Sequence, residues 1–216
     1  MPRRRCLPPP RCGLHSNSVV NQKQQSQRGR NNIMSSSSAI LTQPISTVPF
    51  DDLNRTLTLA QPDNDQGLTH IGIVGDTYTL LLTGDATAGR FCLIDMHIPP
   101  GGGPPPHRHD FEETFILLEG ELEATFRGAK SVVRAGDTVN IPSNAPHQFH
   151  NSSAKPVRLL CVCSPAGQED FFLAVGTRVS TRTTPPAQLD ATAQAEFKAK
   201  CEALAPKYRT ELLEHA

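Results

Sequence analysis

No run of apolar residues in this chain approaches the roughly 20 that a helix needs to cross a bilayer, so a spanning helix is excluded from these residues. No apolar stretch follows the first arginines, which argues against a secretory signal. No cysteines stand in a CxxC or zinc-finger spacing, since Cys6, Cys12, Cys92, Cys161, Cys163 and Cys201 are scattered along the chain. Cys161 and Cys163 would share one face of a strand, and the plain reading of that pair is two buried thiols. The chain accordingly reads as intracellular, cytoplasmic and free of disulfides. No segment repeats.

Acids are missing from the first 50 residues. That stretch carries Arg3, Arg4, Arg5, Arg11, Lys23, Arg28 and Arg30, and the first acid is Asp51. Formal net charge is zero over 216 residues, so the remainder is acidic overall and is not expected to bind nucleic acid. An acid-free, Arg- and Ser-rich leader resembles an organellar transit peptide, which would place the protein in an organelle. It reads equally well as a disordered tail, or as sequence upstream of a true start at Met34. The expected organisation is a leader over 1–49, a β domain over 50–165 and a helical extension over 166–216.

What is present is strand texture with frequent punctuation. Phe91, Leu93, Asp95 and His97 alternate with Cys92, Ile94, Met96 and Ile98, which is the period of a strand. Leu122, Ala124 and Phe126 alternate with Glu121, Glu123 and Thr125, giving one buried and one wet face. Breaks fall at Glu119-Gly120, at Ala135-Gly136-Asp137 and between Pro142 and Pro146. Many short strands separated by turns predict an all-β sandwich or barrel. After Pro165 the pattern turns helical. Phe171, Phe172 and Val175 share one face, as do Phe197, Cys201 and Leu204, with Asp190 as a cap and Pro206 as a break. Packing over a barrel end or an oligomer contact is the expected role of these helices.

The chemistry concentrates in "GGGPPPHRHDFEETF", residues 101–115. His107 and His109 are two apart, so on a strand both imidazoles project from the same face. Glu113 follows four residues later, and His147 could arrive on a facing strand after the turn "PSNAP". Three imidazoles and a carboxylate suit iron, manganese, nickel, zinc or copper. Glu112 is the rival carboxylate. His150 would point away from His147, His70 and His97 read as ordinary histidines, and Asp110 reads as a turn residue. Phe91, Met96, Phe115, Phe126 and Phe149 could line an apolar pocket beside the ion or simply fill the core.

These spacings resemble the two sequence motifs of the cupin superfamily. The first motif is matched by Gly101, His107, His109, Glu113 and Gly120, and the second by Gly136, Pro142, His147 and Asn151. Asn144 stands where the second motif has glycine, and asparagine is the next-best residue for a left-handed turn. The likeness covers about residues 70–165. It implies a small antiparallel β-barrel or jelly roll with one motif pair, similar to quercetin dioxygenase-like monocupins and followed here by C-terminal helices. The implied ligands are His107, His109, Glu113 and His147, holding one divalent ion per chain, iron first.

The activity so implied is that of a metal-dependent oxygenase acting on a small phenolic or enolic compound. Glu113 would leave the ion and act as general base on a substrate hydroxyl. Two other readings use the same barrel. One is a Lewis-acid isomerase or lyase working without dioxygen, and the other a non-catalytic small-molecule binder. The implied partners are a small-molecule substrate and a second copy of the chain in a homodimer, with no nucleic acid and no membrane.

Overall fold

The structure is a computed structural model and describes residues 48–64 and 67–216. The leader expected over 1–49 therefore falls almost wholly outside the described residues.

Among the described residues, twelve strands run in chain order as β1 (Thr69–Ile73), β2 (Asp76–Leu82), β3 (Cys92–Ile98), β4 (His107–His109), β5 (Glu112–Glu119), β6 (Glu121–Phe126), β7 (Ala129–Arg134), β8 (Thr138–Ile141), β9 (His147–His150), β10 (Val157–Ser164), β11 (Thr177–Val179) and β12 (Thr210–Leu212). A helical turn, α1 (Gly84–Thr87), lies between β2 and β3, while α2 (Gln168–Val175) and α3 (Ala191–Leu204) follow β10. The strands form two antiparallel sheets, ordered β11-β1-β2-β3-β10-β5-β8 and β12-β4-β9-β6-β7. The jelly-roll expectation thus takes the form of two separate sheets that do not close into one barrel.

The alternation legible in the sequence decides what is buried. Val157, Leu159, Cys161 and Cys163 of β10 turn inward at every second position, beside Ile94, Met96 and Ile98 of β3. Each such aliphatic side chain, fully removed from water, contributes roughly 1.5–3 kcal/mol. Gly120 joins β5 to β6 at φ 82°, and a Cβ there would press on Val157 Cγ2 at 2.8 Å. Only glycine meets both demands. Asp95, fully buried on the other face of β3, is neutralised by Arg158 of β10, whose Nε lies 3.1 Å from Oδ1 and whose Nη2 lies 2.6 Å from Oδ2.

The segment after Pro165 departs from the helical expectation in one respect. Its helices are present: Phe171, Phe172 and Val175 are buried, and the Asp190 side chain accepts the Ala193 amide at 2.9 Å as an N-cap. Pro206 sits in the 3-10 turn Ala205–Tyr208 that ends α3. The same segment also supplies two strands. β11 pairs with β1 and β12 pairs with β4, so it extends both sheets. Strands of three residues carry too few positions for a period to show.

Candidate metal centre

β4 and β9 lie side by side, with His107 opposite His147 and β12 on the other flank of β4. The turn between β8 and β9 brings His147 into place. Asn144 adopts φ 66°, the left-handed conformation expected of the residue in the glycine position, and its amide donates to the His109 carbonyl at 2.6 Å. Glu112 braces the same turn from outside, accepting Asn140 Nδ2 at 2.9 Å and the Ser143 amide at 3.1 Å. It is exposed and directed away from the histidines, so Glu113 is the carboxylate that joins them. Asn151 is fully buried, and its side chain donates to the Ile98 and Lys155 carbonyls. Its backbone bonds to Gly101 and Gly102 tie the glycine loop to the end of β9.

His107, His109, Glu113 and His147 converge in a buried cluster whose ligand atoms all lie within 4.8 Å of one another. The Nδ1 atoms sit 2.9 Å from the carbonyl oxygens of Pro105, Phe111 and Ala145, respectively. A carbonyl only accepts, so each Nδ1 carries the proton and donates it. In the neutral rings this leaves the Nε2 lone pairs facing inward. There Nε2 of His109 and of His147 lie 3.2 and 3.1 Å from the same Glu113 oxygen, Oε2. Lone pairs aimed at a carboxylate repel it unless a cation stands between them, so the donor set fits a divalent ion. Burial holds His107 neutral, pulling its pKa down to about 4, with the neighbouring His147 acting in the same direction. Burial alone would push the Glu113 carboxyl up, but its contacts with His109 and His147 outweigh it and hold it below the usual carboxylate range.

The other Glu113 oxygen, Oε1, accepts the Cys161 thiol at 3.2 Å, with Cys163 Sγ 3.8 Å away. Burial pushes the Cys161 thiol up to about 12, so it stays protonated and donates. The shared face of Cys161 and Cys163 was legible in the sequence. That this face meets Glu113 was not, because it depends on β10 pairing with β5. A thiol that orients a ligating carboxylate tunes the ion it holds. Cys161→Ala is therefore expected to weaken metal binding by about 10-fold, read by competition with a chromogenic chelator, while Cys161→Ser retains most of it.

Of the other residues singled out, His150 is exposed, and Asp110 is an exposed turn residue 3.4 Å from Arg209. His70 has its Nδ1 2.8 Å from the Thr79 hydroxyl, and His97 lies half-buried on β3, outside the cluster. His107 and Glu113 face a cavity of about 530 Å³. Met96, Phe115 and Phe149 line it as expected, whereas Phe91 and Phe126 do not. Phe126 packs against the hydrophobic core instead. Phe171 and Phe172 of α2, which the sequence did not place there, also line the cavity.

Two antiparallel sheets with a buried His-x-His, a glutamate and a third histidine brought together outline a jelly-roll domain with a candidate metal site. Residues 94–163 match the cupin domain family. The chain is 36% identical over 81 residues to an uncharacterized protein of Methanocaldococcus jannaschii, covering 36% of this chain and 64% of that one. It is 27% identical over 109 residues to quercetin 2,3-dioxygenase of Bacillus subtilis, covering 50% of this chain and 32% of the relative. An RmlC-like cupin from Shewanella frigidimarina is similar at 20% identity and a TM-score of 0.43, over 53% of this chain and 99% of that one. The chain thus spans between about a third and just under two thirds of the length of these two curated relatives. Among the described residues no helix is long and apolar enough to cross a membrane.

Proposed function

We propose that the protein is a metal-dependent oxygenase acting on a small phenolic or enolic compound, with one divalent ion, iron first, held by His107, His109, Glu113 and His147. The observation that carries this reading is the set of inward Nε2 atoms around Glu113 Oε2, opening through His107 and Glu113 onto an apolar cavity. Similarity to a quercetin 2,3-dioxygenase supports the choice of reaction. When bound, the ion supplies a Lewis-acidic centre at which dioxygen and a substrate oxygen are polarised.

The chain's own residues do the rest. The three backbone carbonyls fix the imidazole orientation. Glu113 takes the proton of the substrate hydroxyl at Oε2, while the Cys161 thiol holds Oε1 in place. Phe115 and Phe149, edge to face at 5.3 Å, keep that end of the cavity dry.

The test is oxygen-electrode measurement on iron-loaded protein with a flavonol such as quercetin and with simpler enols. Dioxygen consumption matched to substrate loss, absent from zinc-loaded protein, is the expected result. A protein that holds iron but consumes no dioxygen with any of these compounds overturns the oxygenase reading and leaves the metal site standing.

A further inference from the structure

The seven-stranded sheet has an outer face, turned away from the metal cluster, which the chain covers unevenly. Over β1 and β2 the cover is close. Thr77 Oγ1 donates to the Thr184 carbonyl at 2.9 Å, and Pro186 presses so tightly on Gly72 that a Cβ there would collide with it. Arg182 continues this cover to within 4.0 Å of Asp95 on β3. Thr77, Thr79 and Asp95 are accordingly fully buried. Beyond Asp95 burial falls off. Leu160 and Val162 alternate with the inward Leu159, Cys161 and Cys163, and the register sets Leu160 beside Ile116 and Val162 beside Leu93 on the outer face. These four are only half-buried, and Leu118, further along β5, is 40% exposed. An outer face that meets water is ordinarily polar. The runs "FILL" of β5 and "LLCVC" of β10 are instead continuously apolar, the pattern of strands buried on both sides.

The same chain carries an apolar segment that its own body does not bury. Residues 51–64 are tied down at two points: Arg55 Nη2 donates to the Ala86 carbonyl at 2.9 Å, and Asp63 pairs with Arg182 at 2.8 Å. Leu57 and Leu59 alternate with Thr56 and Thr58, which is the period of a strand. Residues 56–60 nevertheless join neither sheet and make no backbone hydrogen bond among the described residues. Leu53, Leu57 and Leu59 are 87%, 94% and 74% exposed. Arg182 relates this arm to the sheet, since it holds Asp63 and also borders Asp95. The arm therefore leaves the body beside the uncovered part of the outer face.

We propose that this face docks a second copy of the chain, with the 53–60 arm of each copy lying across Ile116, Leu118 and Leu160 of the other. The second copy is the occupant the observations select, because one chain supplies both the bare face and the unburied arm anchored next to it. A two-fold axis satisfies both pairs at once. A stable interface takes about 20–30 residues a side, and the arm together with the outward positions of β10, β5 and β8 reaches that size. Thr138 and Asn140 of β8, both exposed, give the patch a polar rim. Glu113 and the cavity lie on the other face of the sheet, so the interface is independent of the ion and of the reaction proposed above.

The experiment is sedimentation velocity on the full chain at micromolar concentration, joined to photo-cross-linking. The wild type is expected to be a dimer. Leu57→Asp/Leu59→Asp and, separately, Leu118→Asp should each weaken the dimer by at least about 30-fold. The arm variant keeps the test sound if the sheet variant misfolds, because its leucines bury nothing within one copy. It should retain the wild-type circular-dichroism spectrum and metal content. Benzoylphenylalanine placed at position 57 in a mixture of unlabelled and 15N-labelled copies should cross-link light chains to heavy ones, on the peptides that carry Ile116 and Leu118 or Leu160. A monomeric wild type, which would leave the face to a different protein, overturns the proposal. So does a dimer that survives the arm variant, or cross-links confined to one copy. None of these outcomes touches the metal assignment, which elemental analysis decides.

Discussion

Purified His107→Ala and His147→Ala proteins are expected to lose nearly all their divalent ion, while His150→Ala keeps it in full. Removing only an outer contact to a ligand costs about 10–100-fold in metal affinity, so deleting a ligand itself should cost at least about 100-fold. The comparison is sharp because His147 and His150 belong to the same four-residue strand, one buried and one exposed. Both are histidines, so any loss common to all variants would reflect handling and not coordination. The measurement is metal content by elemental mass spectrometry after equilibrium dialysis at fixed free ion concentration. Full occupancy in either of the first two variants would refute the ligand assignment. The rings of His107 and His147 lie 4.2 Å apart, so removing one also leaves a void beside the other. A circular-dichroism melt is the control that the fold survives.

The second large effect concerns stability. Arg158→Leu is expected to destabilise the fold by about 3 kcal/mol, since truncating one partner of a buried ion pair strands the other charge. Asp95 is 0% exposed, and Arg158 supplies it with three short contacts. Arg158 itself is 21% exposed, and Arg182 lies 4.0 Å from Asp95 Oδ2, which together keep the loss at the lower end of the usual range. For a domain of this size the melting temperature should fall by roughly 6–12 °C. The double variant Asp95→Leu/Arg158→Leu should recover a large part of that loss, because an apolar pair of similar volume can replace a buried ion pair at little cost. A single variant that melts within about 2 °C of the wild type would show that water or Arg182 already neutralises Asp95.

The shared face of His107 and His109 was readable in the sequence because it is local, whereas Glu113 and His147 joined them only through the resemblance to the cupin motifs. Two histidines two apart on a strand must share a face, and Asn144, standing where the motif has glycine, was expected in a left-handed turn. Asp190 as an N-cap was legible for the same reason. What escaped depends on which segments become neighbours. Cys161 meets Glu113 only because β10 lies beside β5. Phe91 and Phe126 had the right chemistry for the cavity, but nothing in the strand period says which inward face opens on a void and which on packed side chains. β11 and β12 were missed because three-residue strands are specified by the edges they join, not by their own pattern.

The pairing of β12 with β4 carries a consequence for how the protein is made. Two of the four candidate ligands sit on a strand whose outer flank is completed by residues near 211, where Arg108 and Glu211 join across 103 positions of sequence. Such a distant closure is among the slowest events in folding, since the long intervening loop must be ordered first. During vectorial synthesis the His-x-His strand therefore emerges well before the chain that will fix it. An ion held by these histidines would find its site complete only after the residues near 211 have been made and paired with β4.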